Sequence, residues 1–316
     1  MATAFVFPGQ GSQAVGMGKA LAETFAAARA VFDEVDQALG QELSKLMWGG
    51  PEAELTLTEN AQPALMAVSM AVLRVLEAEH GITVKSAAHF VAGHSLGEYS
   101  ARAAAGTFSL ADAARLLKTR GRAMQSATPV GVGAMAALLG LDFATASRVA
   151  AEAAQGEVCQ AANDNSDGQV VVSGHRAAVE RALGIAKAHG AKRAILLPVS
   201  APFHCALMQS AADAMAEALA SVAMQAPVVP VVANVGAAPL SDPAAIRASL
   251  IAQVTGTVRW RDCVGFMAAH GIDRFCEIGA GKVLTGLLKK NAPAAGGMAI
   301  GTPDDIAAAA AQLSQG

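Results

Sequence analysis

Apolar residues in this chain fall into short blocks punctuated by glycine and proline, with longer stretches of helix-forming composition between them. Ala4 to Phe7 is a short apolar run closed by Pro8-Gly9, which predicts a buried strand. A helix is expected over Met17 to Leu39. A second is expected over Pro63 to His80, with proline at its first helical position and Gly81 as its stop. Ala88 to Ala92 reads as a strand running into a glycine-flanked turn, with a helix from Leu96. Ser109 is placed to cap a further helix, Leu110 to Ser126. Strands alternating with helices predict an α/β fold whose mostly parallel sheet is covered on both faces.

The pattern changes from Gly133 onward. Strand (Ala134–Leu139), helix (Asp142–Ala154) and strand (Val158–Ala162) lead to a turn at 163–168. Strand (Gln169–Ser173), helix (Arg176–His189) and strand (Ala194–Leu197) follow. That β-α-β-β-α-β order is the split unit of a small ferredoxin-like domain. Residues 128–197 are therefore expected to be an insertion, with 1–127 and 198–316 forming the larger domain. Beyond it, a strand is expected at Val228–Asn234, helices at Ala244–Gln253 and Trp260–His270, and a strand at Arg274–Ile278. No tandem repeat or low-complexity linker stands out, apart from general alanine enrichment and the tail after Ala307.

Composition narrows the function classes. Hydrophobic residues make up 53% of the 316 residues and charged residues 16%, which fits a large core and excludes a disordered chain. The formal net charge of −3 gives no electrostatic case for nucleic acid or an anionic membrane as main partner. The amino terminus lacks the basic region of a signal peptide. The charge-free stretches 123–141 and 218–241 are broken by proline and glycine, so neither is expected to span a bilayer. Cys159, Cys205, Cys263 and Cys276 show no metal-ligand spacing, which fits buried, reduced thiols in a cytoplasmic protein.

Two glycine-rich segments could carry chemistry. Gly93-His94-Ser95-Leu96-Gly97 is the G-x-S-x-G pattern of a nucleophile elbow. In such an elbow, glycines let the chain turn sharply between strand and helix and project the serine oxygen. Free N–H groups at the start of the following helix can stabilise charge developing on a carbonyl. Phe7 to Ala14 (FPGQGSQA) imitates a dinucleotide-binding loop, which raises a nicotinamide-dependent oxidoreductase as an alternative. That fingerprint needs a second strand ending in an acidic residue, whereas Asp33, Glu34 and Asp36 fall inside a helical pattern. The same loop can lie beside the Ser95 elbow and supply a second oxyanion donor.

Of the seven histidines, His80, His189 and His270 each precede glycine at an expected helix end, which is a structural position. His204 lies in a proline-containing loop after a strand, where such sheets place functional groups. Read from residues alone, it competes with His94 and His270 for the role of base. Arg120 has a plain reading too, as one of several basic residues (Arg115, Lys118, Arg122) on a solvated helix face.

Several motifs in one order resemble the malonyl-CoA:acyl carrier protein transacylase family. They are FPGQGSQ (7–13), AGHSLGEYSA (92–101), TRGRAMQ (119–125), GAMAALLGL (133–141) and NDNSDGQVVVSG (163–174). LPVSAPFHCALM (197–208), LIAQVTGTVRW (250–260) and EIGAGKVLTGLLKK (277–290) complete the set. The resemblance spans nearly the whole chain and implies an α/β-hydrolase-like large domain beside the inserted small one. It implies Ser95 as nucleophile, His204 as base, the N–H groups of Gln10 and Leu96 as the oxyanion hole, and Arg120 as partner of the malonyl carboxylate. The main-chain carbonyl of Gln253 would orient the histidine, and Asn163, in the expected turn, would border the cleft. Malonyl-CoA and the phosphopantetheine arm of acyl carrier protein would be the partners of a monomeric enzyme that needs no metal or redox cofactor. An esterase or thioesterase shares the first half-reaction, and a non-catalytic carrier-binding module is a third reading. The Arg120 and Pro-Phe-His matches favour transfer.

Overall fold

The computed structural model describes residues 1–199 and 201–313, so Ser200 of the matched 197–208 segment and the last residues of the alanine-rich tail lie outside the described residues. Among the described residues the ten strands are β1 (Thr3–Phe7), β2 (Phe90–Gly93), β3 (Gly133–Leu139), β4 (Cys159–Ser166) and β5 (Gln169–His175), then β6 (Arg193–Leu196), β7 (Val231–Ala233), β8 (Ala238–Leu240), β9 (Arg274–Ile278) and β10 (Gly296–Ile300). Six of them form one sheet in the order β10-β9-β1-β2-β7-β8. It is parallel from β10 through β7, and β8 closes one edge antiparallel to β7.

Strand alternation explains how this sheet is buried on both faces. Phe5 and Phe7 of β1 join Val91, Cys276 and Ile278 in one core, under the Thr58–His80 and Leu110–Ser126 helices. The intervening Ala4 and Val6 join Ala92, Phe275 and Trp260 in a second core on the opposite face. The Thr58–His80 helix is long and apolar enough to cross a membrane, but most of it is buried inside the protein.

The second sheet, in the order β4-β5-β3-β6, is antiparallel throughout. The Phe143–Ala154 and Arg176–Ala188 helices cover one face, packing on Ala136, Leu138, Val170 and Val172. Its other face presents Met135 and Val171 to Leu197, Val199 and Phe203. The bare side of the small sheet thus becomes a wall turned towards the large one.

Several expectations are corrected. The single helix expected over 17–39 is two, Lys19–Thr24 and Ala26–Leu39, broken where Phe25 takes an extended conformation and packs on the core. The helix expected to begin at Pro63 begins at Thr58. Proline forfeits its own N–H bond and crowds the carbonyl of Glu59 one turn back, and the tertiary packing of this buried helix outweighs that cost. The turn expected at 163–168 shrinks to Asp167-Gly168, because β4 extends to Ser166 and Asn163 forms a parallel bridge to Val258. The 228–234 strand is only Val231–Ala233. Helices Leu43–Gly49, Glu52–Thr56, Gln209–Ala220, Val283–Asn291 and Pro303–Leu313, with strands β8 and β10, were not expected. The Ser109 cap is present, its hydroxyl accepting from Asp112 N at 3.0 Å.

Gly121 sets how closely the two central helices approach, since a Cβ there would lie 2.5 Å from Glu59 Cα and 2.6 Å from Thr58 O. Gly121→Ala is therefore expected to destabilise by about 1–3 kcal/mol through overpacking, despite alanine's better helix propensity. Gly184→Ala, on an exposed helix position with open space around it, should stabilise by about 0.5–1 kcal/mol. Urea denaturation of both variants checks this; equal shifts would remove the packing argument.

Candidate active site

The geometry of the turn after β2 follows from its two glycines. A Cβ on Gly93 would lie 1.9 Å from the Gly97 carbonyl, and one on Gly97 would lie 2.3 Å from Phe7 O. Only backbone fits between these chains, so the elbow closes on itself and against the end of β1. Ser95 at its apex is held at φ 54°, a strained region for a residue with a side chain. The buried Asn234, just past β7, secures the strained turn. Its side chain accepts from Ser95 N at 2.9 Å and donates to Gly93 O at 2.7 Å.

His204, also at positive φ (58°), arrives from the loop after β6 and places Nε2 2.7 Å from Ser95 Oγ. Its Nδ1 is 2.8 Å from the main-chain oxygen of Gln253. That carbonyl belongs to the last turn of the Pro243–Thr255 helix, where carbonyls lack the ordinary helical donor. A carbonyl can only accept, so Nδ1 carries the proton and Nε2 offers its lone pair to the serine hydroxyl. Burial, and next the Arg120 cation, push the His204 pKa down to about 3, which keeps the ring neutral.

Arg120 is buried rather than solvated. Its Nη1 donates to Gln62 Oε1 at 2.9 Å, and Nη2 donates to Gln253 Oε1 at 3.0 Å and to Ser95 Oγ at 3.1 Å. The Tyr99 ring lies 5.6 Å from the guanidinium. All these acceptors are neutral oxygens, and Arg120 Nε has no partner among the described residues. A buried cation in this state is stabilised by an anion entering the cleft. The other basic residues expected on that helix face differ from it and from one another. Arg115 and Arg122 are exposed, pairing with Asp112 and Glu59, whereas Lys118 is nearly buried and bonds Gln41, Asn60 and Glu59.

These residues open on a cleft of about 660 Å³ between the two sheets. Gln10 and Leu96 line it, and neither backbone N–H has an acceptor among the described residues. Asn163 lines it too, from strand β4 rather than from a turn. The rival histidines are accounted for elsewhere. His94 Nε2 is engaged by Asn165 Oδ1 at 2.8 Å, and His270 is exposed, with Nδ1 on Phe266 O at 2.7 Å at its helix end. The oxidoreductase reading lacks its second strand, because Asp33, Glu34 and Asp36 lie in the Ala26–Leu39 helix. Gln62, Glu98, Asn165 and Asn234 contribute to the site without having been singled out in the sequence. Glu98 and Asn165 stood inside matched motifs, AGHSLGEYSA and NDNSDGQVVVSG, whereas Gln62 and Asn234 carried no such signal. Among the described residues, no cluster of side chains could hold a metal ion.

An acyl transferase domain model matches residues 4–299. The malonyl CoA-acyl carrier protein transacylase of Escherichia coli K12 is 48% identical over 97% of this chain and 98% of its own length, and that of Bacillus subtilis 168 is 45% identical over 99% and 97%. The crystal structure of an acyl-carrier-protein S-malonyltransferase from Bartonella henselae superposes with a TM-score of 0.97 at 55% identity, covering 99% of this chain and 100% of that one. A malonyl-transacylase in complex with its holo type II polyketide acyl carrier protein superposes at 0.95 with 43% identity, covering 99% and 100%.

The low pKa of His204 has a readable consequence. The folded chain keeps this ring unprotonated where the unfolded chain, near pH 6.5, would take a proton. The ring therefore adds nothing to stability above that pH and weakens the fold as pH falls towards the folded value of about 3. Labelling of Ser95 by a fluorophosphonate, followed against pH, should keep its rate down to about pH 5. Arg120→Gln, lacking the nearby cation, should move the acid midpoint upwards. A wild-type midpoint at the ordinary histidine value would show that the ring is hydrated and readily charged.

Proposed function

The chain belongs to the malonyl-CoA:acyl carrier protein transacylases, enzymes of fatty-acid or type II polyketide biosynthesis, and from that membership we propose which of its residues carry the transfer. Ser95 is the nucleophile and His204 the base. The observation that carries this reading is the chain of contacts from Ser95 Oγ to His204 Nε2 and from His204 Nδ1 to the Gln253 carbonyl.

Acylation begins with attack of Ser95 Oγ on the malonyl thioester carbonyl as His204 Nε2 takes the hydroxyl proton. The N–H groups of Gln10 and Leu96 receive the oxyanion. Collapse of the intermediate breaks the C–S bond, and His204 returns the proton to the departing coenzyme A sulfur. In the second half-reaction the phosphopantetheine thiol of the carrier protein gives its proton to His204 and attacks the malonyl-serine ester. Ser95 then recovers the proton. Arg120 holds the free malonyl carboxylate, supplying the anion that its neutral neighbours lack.

The large sheet with its flanking helices, residues 1–127 and 198–316, forms an α/β-hydrolase-like domain. Residues 128–197 form the ferredoxin-like insertion, a reading supported by the strand order β4-β5-β3-β6. Every residue named comes from one chain, so a monomer suffices. Four free, buried cysteines accord with a cytoplasmic setting.

Incubation with malonyl-CoA alone is expected to add one malonyl group, mapped by peptide mass to Ser95 and absent from Ser95→Ala. His204→Ala should slow transfer roughly 10²–10⁴-fold, whereas His270→Ala should leave it nearly intact. A malonyl group on another residue, or equal damage in a folded His270 variant, would overturn the assignment.

Selectivity provides a separate check. Removing a charge-assisted hydrogen bond costs about 1.5–3 kcal/mol, or roughly 10- to 150-fold. Arg120→Ala should therefore cut kcat/KM for malonyl-CoA by at least that factor, while acetyl-CoA turnover holds or rises. Arg122→Ala, exposed and paired with Glu59, should change neither. Parallel losses for the two substrates in folded Arg120→Ala protein would detach Arg120 from the carboxylate.

A further inference from the structure

Beneath the site lies a polar cluster that never reaches the cleft. Glu98, in the first turn of the Gly97–Ala104 helix, is fully buried, as are Arg102, Asn234 and Gln253. Glu98 Oε1 lies 3.4 Å from Arg102 Nη2, and Oε2 accepts from Asn234 N at 2.9 Å and from Gln253 Nε2 at 2.9 Å. A buried carboxylate engaged in this way is costly to assemble unless it is fully bonded. Its bonds lead to Gln253, one of the two side-chain amides that accept from Arg120.

We propose that Glu98 is a positioning residue that fixes the polarity of the Gln253 side-chain amide and thereby the pose of Arg120. This rests on the assignment of Arg120 to the malonyl carboxylate and extends it to a residue that touches no substrate. The two ends of a glutamine amide have nearly the same shape and opposite hydrogen-bonding character. In Gln253 the oxygen end faces Arg120 Nη2 at 3.0 Å. The nitrogen end faces Ser95 O at 3.0 Å, Asn234 Oδ1 at 3.1 Å and Glu98 Oε2. Glu98 is the only charged acceptor of the three, and an ionised carboxylate cannot donate. A half-turn of the amide would set oxygen against carboxylate and an NH₂ group against the guanidinium. Both contacts would be repulsive, so the carboxylate holds the oxygen end towards Arg120. With a neutral amide at position 98, which can itself donate, the half-turn loses its strongest penalty. Arg120 would then be pushed from the place where a three-carbon diacid can reach both it and Ser95.

The test is a comparison of malonyl and acetyl turnover. Glu98→Gln combined with Arg102→Met removes both buried charges together, so no unpaired arginine is left behind. The malonyl-to-acetyl ratio of kcat/KM is expected to fall about tenfold, the low end for one charge-assisted bond. Acetyl turnover should fall less than malonyl turnover, because an acetyl group has no carboxylate for Arg120 to hold, and any loss passed through Asn234 to the elbow is common to both substrates and cancels in the ratio. Should the double variant fail to fold, Glu98→Gln alone keeps an oxygen for Arg102 and provides the same ratio. In a Gln253→Met background, which keeps the carbonyl to His204 and lacks the amide, the Glu98→Gln step should have no further effect on the ratio. A folded Glu98 variant with an unchanged ratio, parallel loss of both activities, or an undiminished effect in the Gln253→Met background would overturn the proposal. Arg120→Ala in the same assay separates the two readings. If it leaves the ratio unchanged, the carboxylate assignment fails; if it lowers the ratio while Glu98→Gln does not, only the role of Glu98 fails.

Discussion

Burying the Arg120 guanidinium is the constraint to which the rest of the site answers. A charged group withdrawn from water must recover its hydrogen bonds inside the protein, or the fold bears the desolvation penalty. Here the recovery is incomplete: two glutamine oxygens and a serine hydroxyl accept from Arg120, and among the described residues no carboxylate bonds it. In the proposed assignment, that deficit is filled by an acyl group carrying its own negative charge. The same cation lies close enough to His204 to reinforce burial in holding the imidazole neutral. On the proposed assignment, one placement therefore bears on both the acyl group bound and the protonation state of His204.

The second constraint is steric. Gly93 and Gly97 allow the end of β1, the turn after β2 and the following helix to approach at backbone contact, which side chains would prevent. Holding Ser95 at positive φ carries strain, and Asn234 offsets it by accepting from Ser95 N and donating to Gly93 O. Gly121 performs a similar service further out, letting the helix that carries Arg120 sit against the one that carries Gln62. The second sheet completes the enclosure, because its helices cover one face only and leave Met135 and Val171 to line the cleft.

Helix ends contribute in two ways that geometry makes plain. The helix after the elbow has Leu96 as its N-cap, which lines the cleft and whose backbone N–H has no acceptor among the described residues, a natural site for developing negative charge. The Pro243–Thr255 helix ends with the Gln253 carbonyl turned towards His204, where many serine enzymes place a carboxylate. A neutral orienting group fixes the tautomer without adding charge.

Much of this was written locally in the chain. The glycine spacing around Ser95, the Ser109 cap, the Gly81 stop and the alternating blocks of β1 and β2 depend on short-range sterics and hydrogen bonding, so sequence alone determined them. The motif set around Ser95, Arg120, His204 and Gln253 resembles that of the transacylases, and the match along the whole chain shows the membership. Tertiary structure decided what depends on distant backbone. Asn163 reads as a turn former, but its bridge to Val258 draws it into β4. Gln62, in an apolar helical run, and Asn234, at a strand end, look like ordinary core positions until Arg120 and Ser95 arrive beside them. His94, His204 and His270 were equivalent candidates by residue type. Only packing brought one imidazole to 2.7 Å from the serine while engaging the others elsewhere. Local conformational preference acts over a few residues and can be read along the chain. Which buried polar groups meet is fixed by how helices and sheets close over one another, and no short stretch of sequence contains that information.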